Sequence, residues 1–220
     1  MLSTLTYAVR IEATPDQAQA LSDTCAAYLD CCNMVSSVAW EHRMISQKTL
    51  HQLVYRRLRD EYQVKSQMAQ SSIIRVIGNY RTIKEMHGSP WATSQPKYHS
   101  SGYDLVWNRD YSILKDGRLS INTLDGRIKV PVDWAHVPEA YRRGKFGTAR
   151  LLNRGGKWLL LIPSTVELPE PSHPQQVVGV DMGVHFLATT YDSDGSTVFY
   201  DGKEVKRRRE HYKKLRASLQ

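Results

Sequence analysis

The segment Val177-Val178-Gly179-Val180-Asp181-Met182-Gly183 decides the fold class of this chain. Its three valines predict a short buried strand, covered on both faces like a central strand, because valine is apolar and β-branched. The strand ends on Asp181, and Gly183 lets the backbone turn there without a side chain in the way. Residues 186–191 predict a second strand, residues 192–195 a turn and residues 197–200 a third strand.

An aspartate on the first strand of such a hairpin is a candidate catalytic residue and metal ligand. A carboxylate is a hard oxygen ligand that suits Mg²⁺, and a rigid strand fixes its position. A pair of such ions would hold the attacking and leaving oxygens of a phosphodiester. Actin-like and sugar-kinase folds use a similar Asp-x-Gly hairpin to bind ATP, and many structural turns contain the pattern. The local pattern alone leaves these three interpretations of Asp181 open.

The sequence after this hairpin is strongly basic. From Lys203 to Arg216 there are eight Lys or Arg against two Glu, a local balance of +6 in a chain of net charge +8. A basic run of this kind favours binding to phosphate backbones, although a solvated helix face or a disordered tail has the same composition. The candidate nucleic-acid contacts in this run are Lys203, Lys206, Arg207, Arg208, Arg209, Lys213 and Lys214.

The amino-terminal part predicts one strand followed by helices. Apolar residues alternate from Leu5 to Ile11, which predicts a half-buried strand over residues 4–12. Thr14, Pro15 and Gln17 then predict a helix start with a capping box.

Three apolar stripes at spacings of three and four residues predict helical packing up to Gly88 and Pro90. Their members are Ala18, Leu21, Cys25, Tyr28 or Leu29, and Cys32; Leu50, Leu53, Val54 and Leu58; and Ala69, Ile73, Val76, Ile77 and Tyr80. The three cysteines, Cys25, Cys31 and Cys32, form no CxxC pair and are odd in number, so we expect core residues on a helix rather than a disulfide framework.

From about residue 102 the apolar period changes to two. Lys115-Asp116-Gly117, Leu124-Asp125-Gly126 and Arg154-Gly155-Gly156 separate strand-like runs and predict hairpins. Short strands with such turns favour a small barrel or sandwich, which the first strand would complete, so that the helical block is an insertion into a β-domain. The stretch Pro163–Pro174 is interpreted as a linker before a new unit that begins at Val177.

Composition excludes several classes of protein. With 41% apolar and 24% charged residues, the chain is typical of folded rather than disordered proteins. The longest apolar run, around Leu159–Ile162, is too short to span a bilayer, and residues 1–12 alternate instead of forming the apolar core of a signal peptide. We therefore expect a cytoplasmic location and no membrane partner.

Landmarks over nearly the whole chain share their order and spacing with a known family. They are Tyr7 to Pro15 with Gln17 and Leu21, Tyr28 with Asn33, Gln67 to Tyr80, Pro96-Lys97-Tyr98, Val130-Pro131 before Trp134, Gly156-Lys157-Trp158, Gly179 to Thr190 with Gly195, and Lys203 to Leu219. In this arrangement they resemble TnpB proteins, the OrfB accessory proteins of bacterial transposons. The last segment also resembles the basic helix of compact type V CRISPR effectors.

The resemblance implies an α+β fold with three parts. An OB-like β-barrel wedge domain would cover residues 1–13 and 96–168, a helical recognition lobe residues 14–95, and the incomplete start of an RNase H-like RuvC domain residues 176–220. In that family a guide RNA derived from the transposon end directs cleavage of DNA beside a short motif. Guide RNA, target DNA and Mg²⁺ are thus implied, with Asp181 as the first catalytic and metal-binding aspartate and Lys97 as a further nucleic-acid contact.

The chain departs from the family in what it lacks. The family's RuvC site also needs a glutamate and a second aspartate, and its zinc ribbon needs CxxC pairs; all are expected beyond residue 220, and no zinc ligands are evident in this chain. We therefore expect the amino-terminal part of a RuvC-type endonuclease that binds nucleic acid without cleaving it. The alternatives are an inactive nucleic-acid-binding remnant or regulator and an ATP-binding, actin- or kinase-like protein of RNase H fold.

Overall fold

The structure, a computed structural model, describes residues 1–99, 102–169, 176–183 and 186–219. The chain falls into two units, Met1–Leu168 and Pro169–Gln220. The helices of the first unit are α1 (Pro15–Glu41), α2 (Gln47–Asp60), α3 (Ser66–His87) and α4 (Glu139–Arg142). Its strands are β1 (Leu2–Ile11), β2 (Gly102–Leu105), β3 (Tyr111–Ile113), β4 (Leu119–Thr123), β5 (Gly126–Val130), β6 (Val132–Asp133), β7 (Lys145–Phe146), β8 (Ala149–Arg154) and β9 (Lys157–Glu167). The second unit contains β10 (Val178–Asp181), β11 (Phe186–Asp192), β12 (Thr197–Asp201) and α5 (Lys203–Ser218).

The first unit is organised by the pairing of β1 with β9. The two strands are antiparallel from the Leu2–Glu167 pair to the Ile11–Trp158 pair, along the whole of β1. The sheet has the order β2-β8-β9-β1-β6, and β7 also pairs with β9. The helices α1, α2 and α3 lie in the chain between β1 and β2, which belong to the same sheet. They are therefore an insertion into this β-domain. The fold is a mixture of helices and sheets as expected, whereas OB-like barrel closure stays a prediction.

The helix signals in the sequence are confirmed. The Thr14 hydroxyl accepts from the Gln17 backbone N–H at 3.3 Å, and the Gln17 side chain accepts from the Thr14 N–H at 3.1 Å, which completes the capping box. Gly88 ends α3 in the left-handed conformation, with φ of 79°. Most members of the three apolar stripes are buried, but Leu53 is 47% exposed and does not belong to the core.

The cysteines are core residues, as predicted. Cys25, Cys31 and Cys32 are all buried on α1. Burial raises the pKa of each thiol to about 12, so the thiols stay protonated near neutral pH and are poor nucleophiles and metal ligands.

The three predicted hairpin turns separate β3 from β4, β4 from β5 and β8 from β9. The predicted linker over Pro163–Pro174 is wrong at its start, since Pro163 lies inside β9. Pro163 falls between the part of β9 that pairs with β8 and the part that pairs with β7, and its carbonyl accepts from the Gly147 N–H at 3.0 Å. A proline is tolerated there because the β8 and β7 ladders do not need its missing N–H. Residues 170–175 lie outside the described residues.

No helix within the described ranges is long and apolar enough to cross a membrane.

The helical insertion is attached to the sheet through Asp104 on β2. The Asp104 carboxylate accepts from the Tyr28 hydroxyl of α1 at 3.0 Å and from the Arg75 guanidinium of α3 at 3.3 Å. Its other oxygen accepts from Arg150 of β8 at 3.0 Å. Arg75 also lies over the rings of Tyr28 and Tyr98, at 5.8 and 5.5 Å from their centroids. One carboxylate thus joins two helices to two strands.

We expect Asp104→Asn to destabilise the first unit by about 2 kcal/mol or more, because it leaves two arginines without their counter-charge. The side chains of Asp104 and Arg75 are only 22% and 15% exposed, so water compensates little. All five tryptophans lie in this unit, so urea unfolding followed by tryptophan fluorescence reports on it alone.

The matched control is Asp116→Asn, which breaks the Asp116–Arg118 pair. Those side chains are 49% and 46% exposed, so the expected loss is below about 1 kcal/mol. Equal shifts in the two variants would show that the Asp104 network does not anchor the insertion.

Candidate nucleic-acid interface

The predicted catalytic residue Asp181 is the last residue of β10. Among the described residues this strand pairs with β11 alone, with Asp181 opposite Thr189, and so lies at the edge of a three-stranded sheet of order β10-β11-β12. The predicted burial of this strand is wrong for the described chain, since Val178 and Val180 are 51% and 61% exposed; a covered, central position in a complete RuvC-type domain stays a prediction. Valines favour a covered strand, but in the described residues neither face of β10 is covered.

Two neighbouring aspartates of the hairpin have structural roles. Asp192 at the end of β11 accepts from the backbone N–H groups of Asp194 and Ser196, at 3.1 and 2.8 Å, and thereby holds the turn before β12. Asp201 at the end of β12 accepts from the Lys203 backbone N–H at 2.7 Å and pairs with the Lys203 ammonium at 3.0 Å. These bonds with Lys203 keep the pKa of Asp201 below its usual range.

Asp181 differs from both because its exposed carboxylate forms no hydrogen bond within the described part of the chain. Its carboxylate is the right kind of oxygen ligand for Mg²⁺, but such an ion needs several ligands. Among the described residues there is no group of three or more His, Cys, Asp or Glu that could hold a metal. Asp181 therefore fits a metal site as a single ligand, not as a complete site.

The predicted basic contacts lie on α5, which is exposed along its whole described length. Spacings of three, four and seven residues bring five cations to one side of the helix: Lys203, Lys206, Arg207, Lys213 and Lys214. Arg208 points elsewhere and pairs with Glu204 at 2.8 Å.

The other side of α5 carries an apolar stripe. Val205, Tyr212, Leu215 and Leu219 follow one another at spacings of seven, three and four residues, and all four are exposed. The helix is therefore amphipathic, with a basic side for anions and an apolar side that the described residues do not cover.

Lys97 lies in the first unit, on the segment after α3. Its neighbours are tied to α1: the Ser36 hydroxyl donates to the Pro96 carbonyl at 2.7 Å, and the Asn33 amide exchanges two hydrogen bonds with the Tyr98 backbone at 2.8 and 3.1 Å. Tyr98 is buried while Lys97 is exposed. The segment therefore presents Lys97 to solvent from a fixed backbone.

Sequence reasoning missed a second group of cations, also in the first unit. Lys65, Arg109, Arg127 and Lys129 come together around β4 and β5 although 64 positions separate the first from the last. They form no run in the sequence. The available signal was the alternation of Arg127 and Lys129 with Ile128, which places both cations on one face of a strand.

The family described as OrfB_IS605, probable transposase, matches residues 161–220, which are 60 of the 220 residues. The matched segment runs from the end of β9 through the β10–β12 hairpin and α5. The match confirms the resemblance to TnpB and OrfB proteins for this part of the chain.

Two solved structures are weakly similar to the chain. A cryo-EM structure of a Cas12f1–sgRNA–target DNA complex has a TM-score of 0.44 and 10% identity, and the match covers 99% of this chain and 62% of that one. A cryo-EM structure of a CRISPR–Cas12f ternary complex has a TM-score of 0.47 and 10% identity, over 94% of this chain and 52% of that one. A search of curated proteins found no match.

We expect Asp181→Asn to leave the stability of the second unit within about 0.5 kcal/mol of the parent chain, because an exposed side chain without hydrogen bonds contributes little to folding. Amide hydrogen exchange of peptides from β11 and β12, followed by mass spectrometry, measures this locally.

Gly202→Ala is the contrasting variant. A Cβ there would lie 2.7 Å from Leu187 Cγ, so we expect a loss of about 1–3 kcal/mol and correspondingly faster exchange. Equally fast exchange in Asp181→Asn would make Asp181 a structural residue and remove it from the candidate site.

Proposed function

We propose that this chain is the amino-terminal part of a TnpB-like, RNA-guided, metal-dependent DNA endonuclease, and that by itself it binds nucleic acid without cleaving it. The observation that carries the proposal is the OrfB_IS605 match over residues 161–220. That match falls on the same hairpin and basic helix that carry Asp181 and the cationic side of α5.

In this proposal the first unit binds the guide RNA and target DNA. The β-strands of residues 1–13 and 96–168 correspond to the wedge domain, and the helices of residues 14–95 to the recognition lobe. The proposal is supported by the strand pairing of β1 with β9, which makes the helices an insertion into the sheet. The exposed Lys97 beside the anchored Tyr98 is one proposed phosphate contact.

The second unit is proposed to be the start of a RuvC-type domain. The apolar side chains of β10 and the apolar stripe of α5 support this, because exposed apolar patches of this kind mark surfaces that pack against further structure. Asp181 would be the first carboxylate of the catalytic site. When bound in a complete site, Mg²⁺ would stabilise the charge that develops on a phosphodiester during hydrolysis.

The second candidate function is nucleic-acid binding with no cleavage by any parent protein, as in a remnant or regulator. Within the described residues there is no group of three or more His, Cys, Asp or Glu that could hold a metal, and this finding agrees with either function. The two functions share the binding step and differ only in whether a complete site forms elsewhere.

We expect the chain to bind a structured RNA hairpin with an affinity that falls steeply between about 50 and 200 mM KCl, because each cation placed on a phosphate releases counterions. Replacing Lys206, Arg207, Arg208 and Arg209 with Gln should lower the magnitude of the slope of log K against log salt by up to about 3. Fluorescence anisotropy of the labelled hairpin measures both quantities.

The matched control replaces four exposed cations of α2 and α3 with Gln: Lys48, Arg56, Arg81 and Lys84. It makes the same change in net charge at other places. If both variants change the slope equally, α5 acts only through net charge. If the parent chain does not bind the hairpin at all, the proposed function is wrong.

We also expect the 220-residue chain to cleave no DNA with Mg²⁺ or Mn²⁺, because one carboxylate cannot assemble the paired-metal site of phosphodiester hydrolysis. Conversion of supercoiled plasmid to nicked circles is the measurement, with Asp181→Asn as the control for contaminating nucleases. Nicking that disappears in Asp181→Asn would contradict the prediction and place a complete site in this chain.

A further inference from the structure

The small sheet β3–β4–β5 has one apolar and one polar face. Residues directly opposite each other on neighbouring strands share a face. The Ile121–Ile128 and Leu119–Val130 pairs form the side that packs into the core. The Ser120–Lys129 and Asn122–Arg127 pairs form the other side, where Lys129 and Arg127 are exposed.

Hydrogen bonds to neutral groups fix three of the four cations on or beside this polar face. Arg127 donates to the Ser120 hydroxyl at 3.0 Å and to the Arg109 carbonyl at 2.9 Å. Arg109 donates to the Gln67 side chain at 2.9 Å. Lys65 donates to the Asn122 side chain at 2.8 Å. The cations are therefore positioned, but none of these partners neutralises their charge.

Within the described ranges, Lys65, Arg109, Arg127 and Lys129 form no ion pair with Asp or Glu. Burial, and next the charge of Arg127, lower the pKa of the Lys65 ammonium, against the weaker opposite effects of Asp125 and Asp110. At Lys65 the charge of Arg127 thus has a larger effect than the charge of either nearby aspartate.

We propose that Lys65, Arg109, Arg127 and Lys129 form a binding surface for the phosphate backbone of RNA or DNA, separate from the basic helix α5. The proposal rests on the proposed function in taking nucleic acid as the ligand. Guanidinium groups suit phosphate because they can donate two parallel hydrogen bonds to it.

The fixed geometry predicts how this surface binds. Side chains that are already held by hydrogen bonds lose little conformational entropy when a ligand binds. The surface offers cations on and beside a strand face, which suit phosphates rather than base edges, so binding should not depend on nucleotide sequence. An acidic protein segment is the competing ligand, since carboxylates also pair with guanidinium groups.

The test uses the full chain with Lys65, Arg109, Arg127 and Lys129 each changed to Gln. The probes are a labelled RNA hairpin, a DNA duplex of the same sequence and labelled poly-glutamate. We expect the magnitude of the RNA or DNA salt slope to fall by about 3, the loss of four phosphate contacts. The Lys48, Arg56, Arg81 and Lys84 variant makes the same change in net charge on the helices, and its slope should change by less than that of the four-residue variant.

A second variant separates folding from binding. Arg109→Gln with Lys129→Gln alters two exposed side chains and spares the hydrogen bonds of Lys65 and Arg127, so tryptophan-monitored unfolding should match the parent while the salt slope falls by about half as much. A larger loss for RNA than for DNA would identify RNA as the ligand, and the reverse would identify DNA.

Three results would overturn the proposal. They are an unchanged slope in the four-residue variant, an equal change in the control, and a loss of poly-glutamate binding as large as that of nucleic acid. If the unaltered chain binds RNA and the four-residue variant binds it with the same salt slope, this surface alone is refuted. A parent chain that binds no nucleic acid refutes the proposed function as well.

Discussion

The first unit depends on one partly buried carboxylate, that of Asp104. Three helices are inserted between two strands of one sheet. An attachment between them must both stabilise the contact and fix the orientation of the helices. Asp104 supplies it by accepting from Tyr28 of α1, Arg75 of α3 and Arg150 of β8. Removing a carboxylate from water is costly, and here two guanidinium groups and a hydroxyl compensate for that cost. Apolar contacts in the core are non-directional, whereas the hydrogen bonds of Asp104 are directional.

The sequence predicted those features that depend on neighbouring residues. The capping box of Thr14 and Gln17 needs only a four-residue segment, and each hairpin turn needs two or three. Features that depend on distant partners were missed or wrong. Whether β10 is buried depends on what covers it, and the proline in β9 is tolerated because of where β7 and β8 end. The Asp104 network joins residues from positions 28 to 150, which no local pattern contains.

The candidate site shows the same difference between features set by neighbouring residues and features set by distant partners. Asp181 could be proposed as a candidate from the sequence because a strand that ends in Asp-x-Gly is a local pattern. That Asp192 and Asp201 are structural could not be read from the sequence, because their roles lie in the hydrogen bonds to Ser196 and Lys203. Those bonds strengthen the case for Asp181 by elimination. In the described hairpin it is the strand-end aspartate whose carboxylate is not already used to hold the fold.

The cations of α5 and the cations around β4 and β5 are held by different kinds of structure. The cations of α5 stand on an exposed helix, and most have long side chains that must be ordered when they meet a ligand. Lys65, Arg109 and Arg127 are already held by Asn122, Gln67 and Ser120 on and around a packed sheet. The mobile side chains on α5 suit long-range electrostatic attraction of an anionic ligand and can adapt to ligands of different shapes. The second arrangement, around β4 and β5, suits a backbone of defined spacing, because its geometry exists before the ligand arrives. Fixing the register of a bound polyanion requires the second arrangement, and net charge alone cannot provide it.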